Sequence, residues 1–317
     1  MSKCKYTSIG GQALIEGIMM RGPEKTAMAV RKPDGDIDLS FIDYKPLREK
    51  YKILGLPIIR GVVNFVESMV QGYKALMKSA DISGFAEEEP TKNGEKKESV
   101  AIGWIMAIAS VLAVILSVFL FMYLPALLFD GVVYLLGEGV LPFAALFEGC
   151  LRLVILVVYM VLVSRMKDIR RVFMYHGAEH KTIFCYEAGL PLTVENIRRQ
   201  KRFHPRCGTS FLVLMLLVSI IVSSLISVLF PTLRHITVLW VAIKILLIPL
   251  VCGIGYELIK LCGKHDNIVT RIISAPGVWL QHITTVEPED DMIEIAITAM
   301  NAVVPESEEN NAKNDDI

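Results

Sequence analysis

The chain has 317 residues, 53% of them hydrophobic, with 33 basic and 33 acidic side chains and no formal net charge. Its mean hydropathy of +0.48 is high for a soluble chain, and the apolar excess is gathered in blocks between residues 100 and 256, the pattern of membrane spans. Balanced charge gives no footprint for nucleic acid, and the six cysteines lack the paired spacing of a secreted disulfide framework.

In chain order, residues 1–57 read as strand-rich. The opening six residues are polar and are followed by Gly10 and Gly11, so no cleaved signal is expected. Residues 26–31 and 37–42 are strand candidates joined by Lys32-Pro33-Asp34-Gly35-Asp36, which is turn chemistry. From Ile59 to about Ala80 the period becomes helical. Val62, Val63, Val66, Met69, Val70, Tyr73, Leu76 and Met77 form an apolar stripe that packs on the strands or lies on a bilayer surface. A charged linker follows from Glu87 to Glu98 and completes an N-terminal portion of residues 1–99.

Four spans are predicted, near Val100–Tyr123, Phe143–Ser164, Phe211–Phe230 and Ile236–Gly255. Leu124–Glu148 has no Lys or Arg and reads as an outward, re-entrant or interfacial stretch between the first two spans, which together occupy 100–164. Residues 165–210 form a basic loop, and the second pair of spans fills 211–256. The positive-inside rule then puts the N-terminal portion, the basic loop and the C-terminal portion in the cytoplasm. Residues 257–304 are read as cytoplasmic helices, with Thr285 as a candidate N-cap of the last one and an Ile293, Ile297, Met300 stripe as core. Residues 305–317 are read as a disordered acidic tail. The predicted fold class is an α-helical integral membrane protein of about four transmembrane helices with a small α+β cytoplasmic portion, multi-pass in the plasma membrane with both termini cytoplasmic.

Charges inside the predicted spans are costly in hydrocarbon. Glu148 and Arg152 lie four apart, Lys244 sits in the fourth span, and Pro249 allows a kink beside it. They read as a structural ion pair or as a polar path.

The stretch that carries chemistry is Tyr175 to Lys181. His176 and His180 are four apart, so on a helix both imidazoles share a face and can hold one metal ion, while Glu179 leans to nearly the same side. His-x-x-Glu-His is the inverted zincin order, in which the carboxylate is a general base toward water. At the other end of the same loop, His204 and Cys207 have the spacing of a metal-binding turn. With all four ligands the site is closed and structural; with three it is open and Glu179 can act on water. A His/Cys set favours zinc. Glu257, Glu187 and Cys185 are further candidates or bystanders. The glycine-rich 10–22 stretch is neither a P-loop nor a dinucleotide fingerprint; it reads as a tight strand edge or as a backbone-lined pocket beside the histidines.

Four motifs, GGQALIEGIMMRG at 10–22, HGAEHKTI at 176–183, HPRCGTS at 204–210 and WLQHITTVEPED at 279–290, resemble the bacterial YqhQ-like family, a domain-of-unknown-function family labelled a predicted metal-dependent enzyme. The resemblance runs over about residues 10–300. It implies a metal at His176 and His180 with Glu179 beside it, and names no substrate. Two functions follow as expectations. One is a membrane-embedded, zinc-dependent hydrolase with Glu179 as catalytic base and His176, His180, His204 and Cys207 as the ligand set. The other is a membrane scaffold or assembly factor stapled by a closed metal site. The expected partners are the lipid bilayer and a membrane protein, with no nucleic acid.

Overall fold

The computed structural model describes residues 7, 9–44, 46–85, 98–265 and 267–305. The predicted tail from 306 onward and most of the 87–98 linker lie outside the described residues.

Four strands, β1 (Gly10–Leu14), β2 (Gly17–Arg21), β3 (Thr26–Arg31) and β4 (Ile37–Ile42), form an antiparallel meander in chain order. β1 faces β2 with Gly11 opposite Met20 and Leu14 opposite Gly17. Both faces of β2 and β3 are covered, which is why they read as unbroken apolar runs rather than as alternation. The last strand is an edge, and its Leu39 and Phe41 are exposed.

A short helix, α1 (Leu47–Lys50), leads to α2 (Ile59–Ile82). This helix packs on one face of the sheet, where Leu14, Met19, Met28 and Val30 close around Ala75. The face it buries is the small one, with Gly61, Gly72, Ala75, Ser79 and Ala80. The large apolar stripe points away: Val66, Met69, Val70, Tyr73 and Met77 are 38–62% exposed. The helix is thus packed on the strands, the first of the two sequence readings, and its apolar stripe is uncovered.

The helix α3 (Glu98–Val118) runs through a π turn, Phe119–Tyr123, into α4 (Leu124–Leu136). The stretch expected to be re-entrant or interfacial is thus a continuation of the first long helix, and the connection shrinks to Gly137 and a 3-10 turn, Glu138–Phe143. Pro125 lies within this continuous run and has no N–H to give the carbonyl four residues back, that of Phe121, which instead accepts from Arg152 Nε. Then come α5 (Ala144–Val163) and α6 (Lys167–Glu187). A break at Ser164–Met166 separates them, and α6 lies in what was read as the basic loop.

A small α7 (Val194–Arg198) precedes α8 (Gly208–Leu229), α9 (Thr237–Leu246), α10 (Ile248–Lys264), α11 (Ile268–Thr284) and α12 (Asp290–Asn301). Three apolar helical stretches are long enough to cross a membrane, Ile108–Leu136, Glu138–Val163 and Gly208–Leu229. A fourth exists if α9 and α10, bent by 45° at Leu247, make one span. Pro249 lies in the first turn of α10, immediately after that bend.

Where helices meet between these stretches, Glu148 is fully buried. It takes Arg152 Nη2 at 3.0 Å, Trp240 Nε1 at 3.2 Å and the ammonium of Lys244. Arg152 Nε donates to the Phe121 carbonyl in the π turn at 2.7 Å, and Thr237 donates to Asp130.

α12 supplies the core on the other face of the sheet. Met292, Ile293, Ala296 and Met300 are buried against Ile18, Met20, Ala27 and Ala29 and against Tyr175 and Ala178 of α6. Ile297 is half-buried, so the expected stripe is core in outline. The last helix starts later than expected. Thr285 caps the end of α11, its hydroxyl donating to the Gln281 carbonyl at 2.7 Å, and Glu289 is the N-cap of α12. The extended run between them is held because Val286 N donates to the Phe173 carbonyl at 2.9 Å.

Candidate metal centre

The central residues come from α6 and from the start of α8. Because α6 is helical through 176–180, His176 and His180 share a face, their ring centroids 4.4 Å apart. Cys207 is the N-cap of α8. Its sulfur lies 3.1 Å from His176 Nε2. One ligand atom from each of His176, His180 and Cys207 falls within 4.8 Å of the others, so this group could hold a metal ion.

Each imidazole has its other nitrogen fixed. His176 Nδ1 is 2.9 Å from the Thr284 carbonyl and His180 Nδ1 is 2.6 Å from the Arg202 carbonyl. A carbonyl only accepts, so both Nδ1 atoms carry their protons and Nε2 is the nitrogen that each ring has left to offer a metal. Donation of the remote N–H to a carbonyl is the habit of metal-ligating histidine. The donor set therefore fits a thiophilic divalent ion such as zinc.

His204 stands apart from the three. Its ring is 5.6 Å from that of His180 and packs on Phe184 at 4.7 Å. Its Nδ1 accepts from Arg206 N at 3.2 Å, and its Nε2 lies 4.0 Å from Glu187. Glu187 is a buried anchor: it accepts from Thr7 N at 3.0 Å and pairs with the Arg206 guanidinium. Burial would raise its pKa, but His204, Arg206 and the Thr7 amide together hold it down to about 2. Gln281 clasps the His204 backbone on both sides, accepting from N and donating to O, each at 2.7 Å. Thus the four-residue set expected from the sequence is drawn as three plus a neighbour.

Glu179 is buried beside the group. Burial pushes its carboxyl upward against the pull of His180 and His176, and the backbone N–H of Gly11 faces it. Gly11 is there by necessity, since a Cβ would sit 2.8 Å from the Met19 carbonyl and 2.9 Å from the Glu179 side chain. Burial also opposes the charges of Cys207 and His176, yet each outweighs it for the other. The thiol falls well below its usual value and the imidazole rises to about 9, giving a thiolate–imidazolium pair. A bound metal would take the place of that imidazolium proton.

Gly177 brings the two halves together. A Cβ there would lie 2.1 Å from the Val286 carbonyl, so only glycine lets the extended run cross α6 and deliver the Thr284 carbonyl to His176. We expect Gly177→Ala to lower metal affinity roughly 10- to 100-fold by displacing that carbonyl, measurable by competition with a chromophoric chelator.

A cavity of about 760 Å³ opens onto His176, Glu179, His180 and Cys207. Gly10, Gly11 and Gln12 line it, which is the pocket reading of the glycine-rich stretch. Glu257 is elsewhere, paired with Arg60. Cys185 is buried against the Pro191 carbonyl at 3.5 Å and takes no part. The sequence reading missed Arg206, Gln281 and the carbonyls of Arg202 and Thr284. Arg206 and Gln281 stand inside quoted motifs; a carbonyl leaves no mark in a sequence.

A family model described as protein of unknown function (DUF1385) matches residues 56–306. The uncharacterized protein YqhQ of Bacillus subtilis (strain 168) is 36% identical over 313 residues, covering 96% of this chain and 95% of that protein. No solved structure matches. Two-thirds of the family model's matched region lies C-terminal to the first long helix and takes in every residue of the His–Glu–Cys group, and the chain belongs to the YqhQ-like DUF1385 family.

Proposed function

We propose that the protein is a membrane-embedded hydrolase with zinc held by His176, His180 and Cys207 at the cytoplasmic face. The observation that carries this is the pair of imidazoles whose Nδ1 protons are both committed to carbonyls, grouped within 4.8 Å of one another with the buried Cys207 sulfur, which His176 Nε2 meets. Zinc there would supply Lewis acidity toward a substrate oxygen. Glu179, with its proton affinity raised by burial, takes the proton of an attacking water. The large cavity leaves room for a substrate, and three ligands leave the coordination open. The engagement of His204 with Arg206 and Glu187 gives less support to the closed four-ligand staple of the scaffold reading, and the hydrolase is preferred. The basic 165–206 stretch supports a cytoplasmic position for this side of the spans by the positive-inside rule.

Glu179→Gln tests the base. It is expected to keep its zinc while turnover of fatty-acyl nitrophenyl esters drops at least about 10²-fold. Unchanged turnover sinks Glu179 as base.

One observation favours a second reading. Cys207 and His176 are at hydrogen-bond distance, 3.1 Å, His176 is oriented by a third group, and the sulfur sits at the N-terminus of α8, where a thiolate is stabilised. In that reading Cys207 is itself the nucleophile and no zinc is needed. Zinc-free protein that is inactivated by iodoacetamide at Cys207, and is indifferent to Glu179→Gln, would select it.

A further inference from the structure

The cavity beside the His–Glu–Cys group has an apolar end on the side of the long apolar helices. Phe65 and Met69 come from α2, Phe211 and Leu212 from the first turn of α8, and Ile259 from α10. Phe65 and Phe211 meet with ring centroids 5.5 Å apart. The rim is open here: Ser68 and Met69 on one side and Gly208 and Leu212 on the other all line the cavity and are all exposed. Leu212 is exposed at the N-terminal end of the apolar, span-length helix Gly208–Leu229, whose body exposes Ile221 and Leu225 on a different face. Met69 belongs to the uncovered stripe of α2, and Lys74 and Lys78 are exposed beside that stripe. An amphipathic helix with apolar residues on one face and lysines flanking them sits at a bilayer interface, with the lysines at anionic headgroups.

The mouth of the cavity is therefore bounded by Met69 of the uncovered α2 stripe and by Leu212 at the start of a span-length apolar helix, whereas His176, Glu179, His180 and Cys207 line it with the polar chemistry. Its volume lies within the roughly 300–1,000 Å³ usual for ligand sites. We infer that the site receives a membrane lipid sideways from the cytoplasmic leaflet, through the gap between α2 and the start of α8, with its acyl chain against Phe65, Phe211 and Ile259. The bond presented at Glu179 and Cys207 is then the ester or amide at the polar end of that chain. This inference rests on the proposed membrane setting and names a substrate class for the proposed hydrolase.

The test uses the full chain in vesicles of phosphatidylethanolamine and phosphatidylglycerol, with a trace of phosphatidylglycerol carrying a diazirine at the end of one acyl chain. After illumination, adducts are mapped by mass spectrometry. We expect adducts at Phe65, Val172 and Phe211 inside the cavity as well as at Leu225 on the outer flank of α8. Ser68→Trp and Met69→Trp, both at exposed positions, narrow the gap. Each is expected to reduce cavity adducts to background while Leu225 labels as before, which also reports that the variant is folded and inserted. Labelling of Leu225 without the cavity overturns the inference and leaves the hydrolase standing. Cavity labelling that neither tryptophan reduces overturns the route between α2 and α8. No labelling at either place removes the membrane setting and the inference together. Failure of the hydrolase alone looks different: the cavity labels normally in a protein that holds no zinc and ignores Glu179→Gln.

Discussion

Wild-type protein purified in detergent without chelator is expected to carry about one zinc per chain, and His180→Ala and Cys207→Ser are each expected to lose it. Elemental mass spectrometry on matched preparations checks this. The expectation is sharp because α6 and the α8 N-cap supply ligands that are far apart in sequence, so a loss in both variants ties two motifs to one ion. His204→Ala separates the drawn geometry from the four-ligand alternative. With Nδ1 taken by the Arg206 amide and Nε2 toward Glu187, His204 is spent on holding the loop, and its removal should leave the zinc in place. Loss of zinc in His204→Ala would restore the closed site and with it the scaffold. Wild-type protein without zinc would leave the Cys207–His176 pair as the centre of the chemistry.

The second large effect is expected at Glu148. Its two carboxylate oxygens serve Trp240, Arg152 and Lys244 in a fully buried place. Glu148→Leu strands two cations at once, and removing one partner of a buried pair costs about 3–5 kcal/mol. Lys244→Met is expected to cost less, because Glu148 keeps Arg152 and Trp240 and the methionine fills the space of the lysine stem. Thermal unfolding in detergent should rank the wild type first, Lys244→Met second and Glu148→Leu last. An unaltered Glu148→Leu would mean that the charges are hydrated and belong to a wet path rather than to a structural cluster.

Much of this fold is legible because its signals are local. Span-length apolar runs, the Pro33–Gly35 turn and the i, i+4 histidines each depend on neighbours in sequence. Two readings failed where distant contacts decide. The stretch 124–148 lacks any Lys or Arg and carries acidic residues, which suggested a re-entrant or interfacial course, but Asp130 is met by Thr237 and Glu148 by Arg152, Trp240 and Lys244, so both sit within packed helices. Thr285 offers N-cap chemistry, yet Val286 is tied to Phe173, so the chain stays extended to Glu289. The stripe of α2 was visible, but its partner was not. The small residues Gly61, Gly72 and Ala75 let backbone approach closely and win the packed face, so bulk is left outside. At the site, residue types named the chemistry but could not apportion it. The setting of His204 depends on Arg206, two residues on, and on Glu187 and Gln281, which arrive from other parts of the chain.

The π turn at Phe119–Tyr123 sets the angular phase of the longest helix. A π turn accommodates one residue more than an α turn, and one residue corresponds to about 100° of rotation. The helix on its N-terminal side is therefore dialled against the helix on its C-terminal side, with the Phe121 carbonyl held by Arg152 as the index mark. Chain length in this segment is as much a part of the design as residue type. Substitutions on the exposed side of α3 can drift freely, while a gain or loss of one residue between 119 and 123 turns every side chain before it onto a new heading relative to Asp130 and α5.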